Sequence, residues 1–408
     1  MFSIKKDNLI LFLFALFVGV KLTGELLNID LTMLLIFTFV IGLSRFFFIN
    51  KKRGKFVSNN YFMIFFIFTA LMILSLSWTS AFEYGAKKVL ILYSILFVFI
   101  LFKKKFNEDY AYFILNFKYV YILIICFIVF FESNNFLMIL SGSTIYRYRI
   151  IEGLNSNVIS VFFAFSALCF FQSVYFTKSK IINIINIVFI FVSLIFLFLS
   201  GSRGAQVSFF GAIFIFYLIT FVKNKKRILC YLLSISFLIL IFSTNILYYL
   251  SGFFPSSLSS FFENRYISSN ALESISARES LFFIAFDGYA SSNYFIKLFF
   301  GNGIGSYGYL LSGIDERGYP HNIFLEILYE LGLIPLILFL VLVIKIILKN
   351  FKEVFKSNLN QSDGMYLFFY FFLINALSTG DLAANFLLFI YMISLLMKTR
   401  TKKMSKLE

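Results

Sequence analysis

Charge is scarce in this chain. Asp, Glu, Lys and Arg make up 14% of its 408 residues, where a soluble domain carries roughly a quarter. With 60% hydrophobic residues, including 62 Phe, a soluble globule could not cover itself with polar surface. A soluble enzyme and a disordered chain are therefore both excluded, and the bilayer is the natural solvent. Three Pro argue against a loop-rich chain. The three cysteines, Cys126, Cys169 and Cys230, sit inside apolar runs as small core residues, with no disulfide framework. One histidine leaves no Cys/His spacing suited to zinc, and no acidic cluster suits a divalent ion.

What is abundant is long apolar runs. A spanning helix needs about 20 mostly apolar residues, and twelve such runs occur, at about 8–27, 29–49, 59–78, 86–102, 110–131, 154–176, 181–199, 205–222, 228–250, 321–348, 364–379 and 382–397. The fold class this predicts is all-α, a polytopic membrane bundle of about twelve helices forming a single domain over 1–408. Basic clusters punctuate the runs in alternation: Lys5-Lys6, Lys51 to Lys55, Lys103 to Lys105, Lys178/Lys180, Lys223 to Arg227, Lys349 to Lys356 and Lys398 to Lys403. Lys and Arg concentrate in cytoplasmic loops, which puts all these clusters on one side. That side holds 26 Lys/Arg and six Asp/Glu, the other ten and fourteen. The net charge of +16 is thus a topology signal, and nucleic-acid binding is not needed to explain it. The first run lacks a cleavage site and is followed at once by a second, so it is expected to be a retained helix, with both termini cytoplasmic.

Two outer loops are long, about 132–153 and 251–320. The second holds fourteen Ser in 70 residues. Within it, Ala271 to Tyr289 reads as a helix with Leu272, Ile275, Phe282 and Phe286 on one stripe, lying on the membrane surface or against the bundle. Arg278 falls on nearly the same face. Gly301-Asn302-Gly303-Ile304-Gly305 resembles a nucleotide loop only superficially, since no strand precedes it. It reads as a flexible turn on the outer face.

Positive residues on the outer side run against the orientation rule. They include Arg147, Arg149, Arg203, Arg265, Arg278 and Arg317. Guanidinium groups suit phosphate oxygens, and a set of them at the membrane surface suits a lipid-linked phosphate or pyrophosphate. Arg203 lies in Ser200-Gly201-Ser202-Arg203-Gly204-Ala205, where small residues let helices approach closely. The plain alternative is an arginine snorkelling to headgroups. His321 can take a proton from a hydroxyl or can simply start a helix. Glu326 and Glu330, four apart, share a helix face. They could orient His321, pair with an arginine or face a wet cavity. Asp381 could be an arginine's partner.

Three pieces of sequence resemble the O-antigen ligase and polymerase superfamily of bacterial membrane glycosyltransferases. They are Arg149 to Asn157, Ser202-Arg203-Gly204-Ala205, and the run from Ser276-Ala277-Arg278 through Gly301 to Ser306 and His321-Asn322 to Glu330-Leu331-Gly332-Leu333. Ser156 stands where that family usually carries a proline. The resemblance implies an enzyme on the outer face of the bacterial inner membrane. It implies a glycan donor carried on undecaprenyl pyrophosphate, with neither a nucleotide sugar nor a metal cofactor. Arg203 and Arg278 would hold the pyrophosphate, with Arg147 or Arg149 as a further counterpart. His321 would be the base, and Asn322, Glu326 and Glu330 would support it. A flippase and a chain-length regulator are the implied partners of a polymerase. A ligase moving finished polysaccharide onto a lipid core would use the same donor. A transporter or flippase fits the span count, but it would place its ionisable residues near the midplane.

Overall fold

The computed structural model describes residues 60–93, 118–119, 121–126, 156–177, 179–200, 202–221, 269–291, 295–356 and 364–397. Helices make up 83% of these, with no strand among them. The expected spans at 8–27, 29–49 and 228–250, both termini and the 132–153 loop lie outside the described residues, as do Arg147, Arg149 and Arg265.

Among the described residues, long apolar runs became helices where the sequence placed them. Helix α1 is Asn60–Leu74, extended by a 3-10 turn at Ser75–Ser77. Residues 82–93 are helical and enter the expected 86–102 span. Helices α2 (Ser156–Phe176), α3 (Lys180–Leu199) and α4 (Arg203–Phe221) follow the runs at 154–222 within a few residues. Next come α5 (Ser269–Ala290), α6 (Phe295–Phe300), α7 (Ser306–Ser312), α8 (Ile323–Leu331), α9 (Leu333–Lys356), α10 (Gly364–Ala376) and α11 (Phe386–Met397). By length and composition, stretches of α2, α3 and α9 can cross a membrane, and α1, α4, α10 and α11 hold shorter apolar stretches.

Both α3 and α10 are strongly apolar, yet they occupy different solvents. Met365 to Phe372 of α10 are all buried, because α10 packs on α4, α11 and α2. In α3, by contrast, Ile181, Ile184, Val188, Phe191 and Ile195 are exposed. Their spacings of three and four make one stripe, suited to lipid contact. Lipid tails give little hydrophobic drive between helices, so packing contacts carry the association. Phenylalanine supplies them. Phe165 meets Phe368 and Phe372 at 4.9 and 5.4 Å, and Phe68, Phe339 and Phe389 form a triangle joining α1, α9 and α11. Each aromatic pair adds about 0.5–1.5 kcal/mol beyond area burial.

The expected single span at 321–348 is two helices. The break is Gly332, with φ 88° and ψ −174°, a region open essentially to glycine alone. A Cβ there would stand 2.4 Å from the Phe299 backbone, and one on Gly301 would stand 2.3 Å from the Glu330 oxygen. Two glycines thus let the 299–301 chain cross the end of α8. Hydropathy sees only a continuous apolar run and misses that crossing.

Candidate active site

The residues of interest gather at one end of the bundle, where α3 ends, α4 and α8 begin, and α10 turns into α11. The glycine-rich segment builds the frame. It is buried from Gly303 to Gly305, which corrects the expectation of a flexible outer turn. The Asn302 and Gly303 amides donate to the carbonyls of Tyr329 and Glu330 at 3.0 and 2.8 Å, satisfying two of the groups that the end of α8 leaves open. On its other side, Thr79 Oγ1 donates to the Ile304 carbonyl at 2.8 Å. Asp315 then accepts from the Glu83 and Tyr84 amides at 2.8 and 3.1 Å, so the loop between α7 and α8 caps the start of helix 82–93.

That clamp sets helix 82–93 against α8. Tyr84 and Lys88 are four apart on one, and Glu326 and Glu330 four apart on the other, so two matched helix faces meet. Lys88 is fully buried. It reaches both Glu330 oxygens at 2.9 and 2.8 Å and pairs with Glu326. Among the described residues the two glutamates therefore pair with a lysine rather than an arginine. Glu326 Oε1 also accepts the Leu382 amide at 3.1 Å. Asp381 does take an arginine, Arg317, at 3.3 Å. It also accepts from the Tyr84 hydroxyl and the Ala384 amide. Burial would raise its pKa, but Lys88 and Arg317 hold it below the usual carboxylate value.

His321 joins this network through Tyr319, whose ring lies under the Arg317 guanidinium that pairs with Asp381. Its φ of 56° makes it the one non-glycine residue with positive φ among the described residues. Such backbone strain persists only when the surroundings enforce it. The enforcing groups are visible. Asn322 caps α8, its side chain accepting from the Phe324 and Leu325 amides at 2.9 and 3.3 Å, and Tyr319 packs edge-on against the imidazole at 4.6 Å. Nδ1 is buried without a hydrogen-bond partner. Burial, then the positive charge of Arg278, pushes the imidazole pKa down to about 4, with Arg317 adding to the effect and the Ser378 backbone opposing it. His321 is therefore neutral at pH 7, the form a general base needs.

Arg278 is half-buried on α5. The inward face of that helix is Arg278, Leu281, Phe282, Ala285, Gly288 and Tyr289. Phe286, on the stripe expected to meet the membrane surface or the bundle, is exposed. Helix α5 lies against α8, its Gly288 closing on Tyr329. Arg203 is the first residue of α4 and is half-buried. Its neighbour Gly204 is pressed on Ser378, where a Cβ would come within 2.6 Å of the hydroxyl. Arg203 and His321 thus flank the same Ser378 turn. Sequence reasoning passed over Lys88 and placed Arg317 only among the outer arginines as a set. A lysine inside the apolar run 86–102 was the available signal, since ionisable residues within spans are rare and usually functional.

The family model described as O-antigen ligase matches residues 187–340. This stretch holds Arg203, Arg278, the glycine-rich segment, His321, Glu326 and Glu330, while Lys88 and Asp381 lie outside it. Over this stretch, well under half of the chain, the sequence is similar to the O-antigen ligase family, which is consistent with the ligase and polymerase superfamily. Neither a curated protein nor a solved structure matches the chain.

Proposed function

We propose, from the similarity to the O-antigen ligase family as premise, that the protein polymerises lipid-linked oligosaccharide repeat units. The donor is glycan on undecaprenyl pyrophosphate, held at the outer face of a bacterial inner membrane, and no metal takes part. A sugar hydroxyl of the acceptor attacks the anomeric carbon. The bond from that carbon to the pyrophosphate oxygen breaks, and undecaprenyl pyrophosphate departs with the electron pair. His321 takes the hydroxyl proton as the new bond forms. Arg203 and Arg278 stabilise charge on the leaving group, where exclusion of water makes each guanidinium worth more. A single displacement inverts the anomeric centre.

One observation carries this reading: a neutral, half-buried imidazole on a strained backbone, with arginine charge converging on it and Arg203 across the Ser378 turn. A proton acceptor beside an anion site is the pair of groups this transfer needs. The inward Glu326 and Glu330, with Asn322, hold α8 and so support His321. The large loop 251–320 is the extracytoplasmic part, and a flippase and a chain-length regulator are the expected partners.

The same donor and leaving group would serve a ligase, and the glycan profile of a deletion strain separates the two. A polymerase deletion leaves one repeat unit on the lipid core, whereas loss of a ligase leaves no repeat attached. Long polymer at the normal rate from membrane-inserted His321→Ala and Arg203→Ala proteins would overturn the assignment of both residues.

A further inference from the structure

We infer that Arg317 is a third pyrophosphate ligand, presenting the outer edge of its guanidinium beside His321 while Asp381 holds its inner edge. This rests on the proposed reaction and adds a residue that the family resemblance does not assign.

The geometry is specific. Arg317 Nε donates to Asp381 Oδ2 at 3.3 Å. Asp381 is itself 4% exposed and is fixed by the Tyr84 hydroxyl and the Ala384 amide, so it is a rigid anchor. The Arg317 guanidinium lies over the Tyr319 ring at 5.3 Å, and Tyr319 is the ring that packs on His321. A run of contacts Asp381–Arg317–Tyr319–His321 results. With Nε tied down, the arginine's orientation is set before any ligand arrives, yet the side chain stays 53% exposed. Such an arginine loses little freedom on binding, and its remaining donors match phosphate oxygens.

Charge points the same way. Arg278 from α5 and Arg317 from the loop before α8 both act on His321 and on Tyr319. Among the described residues, the other groups acting on the imidazole are the Tyr319 ring and the Ser378 backbone, while Glu326 and Asp381 act on Tyr319. Two guanidinium groups converging on one imidazole make an anion-seeking mouth. A surface ion pair with Asp381 alone would not need the aromatic bridge to His321.

The test uses the full-length protein in lipid nanodiscs, purified without a histidine tag. Undecaprenyl pyrophosphate and inorganic pyrophosphate are the two probes. Because His321 is the single histidine of the chain, its imidazole NMR signal is unambiguous. Arg317→Gln is expected to weaken undecaprenyl pyrophosphate binding about tenfold, one bidentate charged contact, and to raise the His321 titration midpoint. Arg317→Lys should leave the midpoint in place, since the charge remains, but still weaken binding severalfold. Weakened binding of both probes assigns Arg317 to the pyrophosphate. Weakening for the lipid probe alone, or binding of both within twofold of the wild type, overturns the assignment. Wild-type protein that binds neither probe would instead defeat the proposed reaction itself.

Discussion

The two ends of the helix bundle solve different problems with the same composition. At one end the helices are tied by simple bonds. Gln172 Nε2 donates to the Gly364 carbonyl at 2.8 Å, Asn350 Nδ2 to the Tyr370 hydroxyl at 2.8 Å, the Tyr366 hydroxyl to Glu353 at 3.0 Å, and Lys349 to the Leu395 carbonyl. At the other end sit the buried lysine with its two glutamates, the Asp381–Arg317 pair, and every described residue with positive φ: Gly301, Gly303, Gly305, Gly313, His321, Gly332 and Gly380. Stability needs only the first kind of end. The first end holds a buried charge too, Lys118, which donates to the Ser173 hydroxyl at 3.1 Å. Among the described residues, though, strained backbone and paired buried charges come together only at the second end, which marks the place where geometry is fixed for chemistry.

The largest expected effect that tests this contrast is on Lys88. Removing one partner of a buried ion pair strands the other, at a cost of about 3–5 kcal/mol. Lys88→Met should therefore lower the thermal unfolding temperature sharply, and adding Glu326→Gln and Glu330→Gln should restore much of it. At the opposite end Lys349→Met removes a hydrogen bond to the Leu395 carbonyl and should cost less, about 1.5–3 kcal/mol. Equal losses at both ends would erase the distinction.

A second contrast lies within the strained end. Gly332→Ala meets forbidden backbone geometry, about 1–3 kcal/mol, and displaces the Phe299 backbone, about 1–3 kcal/mol more. Gly313 also has positive φ, but a Cβ there meets nothing within 4 Å, so Gly313→Ala should cost only the left-handed backbone term of about 1–2 kcal/mol. Denaturation of the two variants in the same detergent makes the comparison.

Much of the fold was legible because hydropathy reports a segment's solvent. The runs at 154–222, 364–379 and 382–397 needed no tertiary information. What could not be read were properties of two segments at once. The break at Gly332 depends on the chain at Phe299 to Gly301. The face of α5 that α8 covers carries Ala285 and Gly288, small residues that an apolar stripe does not mark. Glu326 and Glu330 were visible as a pair, yet their cation lies some 240 positions earlier. Asp381 as an arginine partner was foreseen, because an acid at the start of a span needs a counter-charge.

A smaller effect concerns pH. The folded chain binds the His321 proton more weakly than the unfolded chain, whose imidazole titrates near 6.5. Its contribution to stability is therefore complete above about pH 6.5 and is lost as pH falls toward 4. In activity, the acid limb of kcat/KM should lie near pH 4. That of kcat should lie higher, because bound pyrophosphate offsets the arginine charge. A kcat limb at or below that of kcat/KM would show that no anion sits beside the imidazole.

The most direct measurement is release of undecaprenyl pyrophosphate by the purified full-length protein, supplied with a repeat unit linked to that lipid. Wild-type protein should release one lipid pyrophosphate per unit added, and His321→Ala should slow release about 10²–10⁴-fold, the usual contribution of a general base, while still binding the donor. Release by His321→Ala at the wild-type rate would contradict the account.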